Sequence, residues 1–134
     1  MKVFVYGTLR PMARNHALLR TLGATFVAKG TVRGTLYMNN DLPMMSSEPA
    51  KVRGEIFEIE EKHINVLDEF EGHPHWYKRD MTEVTTDDGL KIPAFAYWMP
   101  LPRLWSSRGV TITVASGDYL AWKDRKKEHN DVRN

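Results

Sequence analysis

Two short stretches carry residue types at spacings that could do chemistry. The first is Tyr6-Gly7-Thr8-Leu9-Arg10, which follows directly on the apolar run Val3-Phe4-Val5. A glycine where a buried strand opens into a loop permits unusual φ/ψ and lets a ligand approach the backbone. Successive backbone N–H groups in such a turn can form a nest for a carboxylate or a developing oxyanion. A strand that simply ends at a glycine fits the same residues. The second stretch is Leu67-Asp68-Glu69-Phe70-Glu71-Gly72. Glu71 stands at the end of an expected helix, facing the partial negative charge of its carbonyl terminus, with Phe70, Trp76 and Tyr77 near enough in sequence to wall it from water. Both effects raise a carboxyl pKa, as general acid–base work near neutral pH requires. The plainer alternative is an exposed glutamate at a helix end. Asp68 and Glu69 are expected to be solvated, because the apolar stripe runs through Leu67 and Phe70.

The remaining chemistry-bearing residues narrow the field. There is no cysteine, which excludes disulfides, thiolate zinc sites and a cysteine nucleophile together. His73-Pro74-His75 offers two histidines and no third ligand at a suitable spacing, so a plain loop is expected there and no metal. His16 is expected to pack or hydrogen-bond near the first loop. Trp76, Trp98, Trp105 and Trp122 read as core or cavity-wall residues. With 134 residues, 42% hydrophobic and 27% charged, the chain suits one ordinary domain. Lys and Arg are scattered among acids, giving a formal charge of only +2, so nucleic acid is not an expected partner. Lys123 to Lys127 reads as a solvated helix end. No run reaches the roughly 18–20 apolar residues of a membrane helix, and a cytoplasmic protein is expected.

The elements that must position these residues follow from periodicity. Lys2 to Tyr6 reads as a buried strand. Thr8 to Arg14 is loop, and Asn15 can cap a short helix through Leu22 that stops at Gly23. Ala24 to Met38 is strand-like, with bends or bulges at Gly30 and Gly34. Asn39 to Pro49, with two prolines, paired asparagines and paired serines, reads as a surface loop. Val52 to Ile59 alternates, with apolar residues on both faces. Glu60 to Phe70 is a helix ended by Gly72 and Pro74. Tyr77 to Thr86 and Leu90 to Met99 form a hairpin through Asp87-Asp88-Gly89, with Pro93 suggesting an edge position or a bulge. Pro100 to Gly109 is loop, Val110 to Val114 a short strand, and Ser116-Gly117-Asp118 caps a final helix. The architecture expected is α+β, a small mixed and mostly antiparallel β-barrel with short flanking helices. One domain spans residues 1–122, and 123–134 form a polar tail that frays.

The motifs together resemble the γ-glutamylcyclotransferase-like (AIG2-like) superfamily. Tyr6-Gly7-Thr8-Leu9 after an N-terminal strand is similar to its opening signature, and Asn15-His16-Ala17-Leu18-Leu19 to the Asn-His-x-x-Leu element that often follows. Gly54-Glu55-Ile56-Phe57 resembles the Gly-Glu-aromatic strand. Leu67 to Gly72 matches Leu-Asp-x-x-Glu-Gly, whose last carboxylate is the family's acid–base residue. Tyr77-Lys78-Arg79, Tyr97 and the terminal Ser116-Gly117-Asp118-Tyr119 match the later elements in order. Pro11-Met12-Ala13 departs from the glycines frequent there, and Asp41-Leu42-Pro43-Met44-Met45 only loosely resembles the usual substrate-side loop.

The resemblance implies a cavity between the first loop and the glutamate. Gly7, Thr8 and Leu9 would bind a γ-glutamyl small molecule through main-chain N–H groups, with Tyr6 and Tyr97 also at the substrate. Glu71 would move the proton as the substrate's α-amine attacks its own γ-carbonyl, releasing 5-oxoproline and an amine without metal or cofactor. Glutathione, a γ-glutamyl amine or isopeptide, and a γ-glutamylated antibiotic precursor all fit as substrates. A non-catalytic metabolite- or partner-binding protein of the same fold and a γ-glutamyl amide hydrolase are the rival readings.

Overall fold

The computed structural model describes residues 1–106 and 109–133, with side chains as far as residue 126. Six strands form one sheet in the order β3-β1-β5-β4-β2-β6, and β3 also pairs with β2. That extra pairing closes five of the strands into a barrel and leaves β6 (Thr111–Thr113) attached outside it. Closure removes the two exposed sheet edges that an open sheet of this size would present.

The barrel is built around a long hairpin. β2 (Thr25–Asn39) and β3 (Leu42–Glu58) pair antiparallel from Thr25 opposite Glu58 to Asn39 opposite Leu42. The chain reverses through Asn40 and Asp41, with Asn40 at a φ of 55°, a conformation that asparagine tolerates better than most residues. The segment expected as a surface loop, Asn39 to Pro49, is therefore largely strand. Pro43, Met44, Met45 and Ser46 are buried, and burial against the core overrides the turn-forming composition. The loop-like residues sit in one irregularity. Arg33 opposes Lys51 and Thr35 opposes Ser46, so Gly34 faces the four residues 47–50, which bulge outward. Gly30, expected at a bend or bulge, pairs regularly with Gly54 and Thr86.

β1 (Lys2–Val5) lies between β3, antiparallel to it, and β5 (Lys91–Trp98), parallel to it. β4 (Lys78–Thr86) and β5 form the expected hairpin, where Gly89 takes a φ of 89° and donates to the Thr86 carbonyl. Pro93 pairs with Glu83 in regular register, without a bulge, two residues before the Phe95 that pairs with Val3. Alternation along β1 separates two apolar clusters. Phe4 and Tyr6 join Val32, Leu36, Met45, Ile56, Val84 and Ala96 in one. Val3 and Val5 join Phe57 of β3 and Leu19, Leu67 and Leu104 from the covering helices in the other.

Those helices are short. α1 (His16–Thr21), α2 (Ile64–Glu71) and α3 (Leu101–Trp105) each bury a leucine against the second cluster, α3 lying where loop was expected. The expected helix from Glu60 begins as a 3-10 turn, Glu61–His63, before α2. α4 (Tyr119–Arg133) starts at Asp118, whose carboxylate accepts the Ala121 N–H at 3.1 Å, and its backbone carries on through the polar stretch from Lys123. The side chains of Lys127 and the residues after it lie outside the described residues.

Candidate active site

Five chain segments meet at a cavity of about 210 Å³. They are the loop after β1, the start of β3 at Leu42 and Pro43, the end of α2 at Phe70 and Glu71, the following Trp76 and Tyr77, and Tyr97 of β5. Every residue proposed from sequence as part of a site lines it: Tyr6, Gly7, Thr8, Leu9, Glu71 and Tyr97.

The first loop is held by its own hydrogen bonds and by a buried ion cluster. The Arg10 N–H donates to the Gly7 carbonyl at 3.1 Å, and the Asn15 N–H to the Thr8 carbonyl at 2.9 Å. Asn15 was expected as a helix cap, yet its side-chain amide turns away from α1 and donates to Thr8 Oγ1 at 3.0 Å. Backbone and side chain of Asn15 thus both donate to Thr8, and the exposed first turn of α1 is left to solvent. His16 Nδ1 donates to the Leu9 carbonyl at 2.9 Å, fixing that tautomer, and its ring packs on Phe57. Arg10, 4% exposed, grips both carboxylate oxygens of buried Glu55 at 2.8 and 2.9 Å and reaches Asp118 at 2.9 Å. Sequence reasoning missed this cluster, because Arg10, Glu55 and Asp118 come from three distant segments. With the loop so fixed, the N–H groups of Gly7, Thr8 and Leu9 donate to nothing among the described residues. Gly7 is required for packing: a Cβ there would stand 2.6 Å from Cγ of Pro43 on the opposite wall.

Across the cavity, α2 ends as Gly72 takes a left-handed φ of 69°, which sends the chain back so that Tyr77 can donate to the Glu71 carbonyl. Among the described residues, Glu71 is the only carboxylate lining the cavity. Part of its surface opens into the cavity, but protein surrounds the rest closely, and burial pushes its carboxyl up from 4.5 to about 7. Its neighbours are phenols whose hydroxyls are already committed. Tyr6 donates to the Tyr97 carbonyl at 2.7 Å and accepts the Met45 N–H at 3.2 Å, while Tyr77 donates to the Pro43 carbonyl at 2.5 Å. Burial, helped by the Glu71 charge, holds Tyr6, Tyr77 and Tyr97 well above the usual phenol range, so they stay neutral. The cavity is thus lined by one group poised to exchange a proton near neutral pH and by a loop whose Gly7, Thr8 and Leu9 N–H groups have no acceptor among the described residues.

Asp68, expected to be solvated, is instead bound: Arg79 grips it at 2.9 and 3.2 Å and Tyr97 donates to it at 2.8 Å. One turn before Glu71 on α2, it ties the helix to β4 and β5. His73 Nδ1 accepts the Arg79 backbone N–H at 2.9 Å. Arg14 at the cavity rim carried no site signal in the sequence, whereas Leu42 and Pro43 in its wall belong to the segment that loosely resembles the substrate-side loop.

The family model for γ-glutamyl cyclotransferase, AIG2-like, matches residues 3–121, nearly the whole of the chain that builds the barrel and the cavity. The chain belongs to this family. Among γ-glutamylcyclotransferase relatives, a Methanocaldococcus jannaschii protein provisionally named as one is 32% identical over 124 residues, covering 90% of this chain and 97% of that protein. The rat γ-glutamylaminecyclotransferase is 35% identical over 92 residues, 61% of this chain and 62% of that enzyme. The crystal structure of a mouse AIG2-like protein superposes with a TM-score of 0.67 at 28% identity, over 73% of this chain and 76% of that one. Among the described residues of this cyclotransferase-family chain, no helix is long and apolar enough to cross a membrane.

Proposed function

We propose that the protein cyclises γ-glutamyl amides to 5-oxoproline with release of the free amine, Glu71 serving as general base and then general acid. The observation that carries this reading is the Glu71 carboxyl, raised to about 7 in a cavity also lined by Gly7, Thr8 and Leu9, whose N–H groups donate to nothing among the described residues. As carboxylate, Glu71 takes a proton from the substrate's α-ammonium. The freed amine attacks the γ-carbonyl carbon, closing a five-membered ring and placing negative charge on the carbonyl oxygen. Backbone N–H groups of the first loop stabilise that oxyanion. Collapse of the intermediate breaks the original amide C–N bond as protonated Glu71 returns its proton to the departing nitrogen; the ring nitrogen gives up its second proton to the released amine, which leaves as an ammonium ion. Nucleophile and electrophile belong to one molecule, so holding the substrate folded supplies much of the rate.

The test is a panel of γ-glutamyl amides incubated with wild type and with Glu71→Gln, read by mass spectrometry. Wild type is expected to yield 5-oxoproline and the variant, folded, to yield none. Full turnover by Glu71→Gln rules out its acid–base role. Free glutamate in place of 5-oxoproline makes the protein a hydrolase, and no product from any amide makes it a binding protein.

A further inference from the structure

The cavity is too small to enclose a whole γ-glutamyl amide with a sizeable amine. At about 210 Å³ it falls below the roughly 300–1,000 Å³ of clefts that bury a drug-sized ligand. On the reading above, the α-amine must reach Glu71 and the γ-carbonyl must reach the first loop, which commits the interior to the γ-glutamyl moiety. The leaving amine then lies along the rim. There the surface is apolar on one side, with Phe70 45% and Trp76 41% exposed beside Leu42. Its charge comes from Arg14, the one cationic side chain lining the cavity among the described residues.

Arg14 is placed but not neutralised. Its Nη2 donates to the Asp41 backbone carbonyl at 3.0 Å, tying the first loop to the turn between β2 and β3. The Asp41 carboxylate itself faces Lys126 Nζ at 3.7 Å. No carboxylate pairs with Arg14 among the described residues, so most of the five donors of a guanidinium remain free at the cavity mouth. Charge along the cavity therefore runs from Glu71 inside to Arg14 outside.

We infer that Arg14 is a specificity-determining residue that selects leaving amines bearing an anionic group on an apolar stem. The stem crosses Trp76 and Phe70, and the anion meets the guanidinium. An amine ending in a second ammonium is repelled. The inference rests on the cyclotransferase reading.

Three γ-glutamyl amides of equal chain length test it, their leaving amines ending in carboxylate, carboxamide or ammonium. For wild type, kcat/KM is expected to be about ten-fold higher for the carboxylate than for the carboxamide, mostly through KM, and lower still for the ammonium; a hydrogen bond to a charged group at an exposed rim supports a factor of that order. Arg14→Gln should bring all three within about two-fold of one another while keeping the melting temperature, and Arg14→Lys should restore part of the preference. Equal loss on all three amides in Arg14→Gln overturns the inference, because Arg14 would then read the shared γ-glutamyl part. Wild-type turnover without discrimination overturns it too, with the reaction left standing. Absence of 5-oxoproline from every amide removes the cyclotransferase reading and this inference with it.

Discussion

Replacing Glu71 by glutamine should stabilise the fold at alkaline pH and leave it unchanged in acid. Burial raises the folded-state pKa of this carboxyl from 4.5 to about 7. Below about 4.5 the group is protonated in folded and unfolded chains alike, and glutamic acid and glutamine are near equivalents. As pH rises toward 7, the unfolded chain releases the proton while the folded chain keeps it, so wild-type stability falls. Above about 7 the buried charge stands at its full penalty. At about 1.4 kcal/mol per pH unit, this difference corresponds to roughly 3 kcal/mol. The carboxyl opens in part into the cavity, and screening by solvent entering there reduces the expected effect to on the order of 2 kcal/mol. For a chain of this length that is a rise in Tm of about 8 °C. Thermal and urea unfolding of both proteins from pH 4 to pH 8.5 should show curves that meet at the acid end and diverge through pH 5–7. In parallel, wild-type kcat/KM should rise with pH through about 7, since only the carboxylate can accept the substrate's proton. Stability curves that stay parallel over the whole range would refute the reasoning, because they require a carboxyl titrating at its ordinary value.

Two further perturbations follow from the loop that faces Glu71. Arg10→Met leaves Glu55 charged and buried, and should cost about 3–5 kcal/mol in urea unfolding; adding Glu55→Leu should recover most of it. A single-variant loss below about 1 kcal/mol would mean that the pair is not desolvated. Gly7→Ala sets a Cβ against the Pro43 ring, 2.6 Å from its Cγ, and should cost about 1–3 kcal/mol and most of the activity. Pro43→Ala in the same chain should restore the stability, and failure to do so would place the strain elsewhere.

Much of the fold was legible because it rests on local rules. The apolar run of β1, the Asp-Asp-Gly hairpin and the stripe of α2 closing at Gly72 each depend on residues within a few positions of one another. The misreadings share a cause. Pro43, Ser46 and Pro49 are turn formers by composition, yet the first two are buried in β3, because a long hairpin pairs that segment with β2 whatever its local preference. Asp68 lies off the apolar stripe, but β4 and β5 bring Arg79 and Tyr97 to it.

The sequence by itself determined which residues could do chemistry here: a glycine loop after a buried strand, and one glutamate where a helix must stop. It also determined the family, since the order of those motifs is a property of the chain. Only the tertiary structure decided that the loop and the glutamate share one cavity, that Arg10 locks the loop through Glu55 and Asp118, and that Arg14 stands at the mouth with no carboxylate partner among the described residues. The physical reason is that desolvation and charge pairing are sums over atoms in space. The walls that lift the Glu71 carboxyl toward neutrality include Tyr6, Pro43 and Tyr97, which are tens of residues apart in the chain and adjacent only once the barrel has closed.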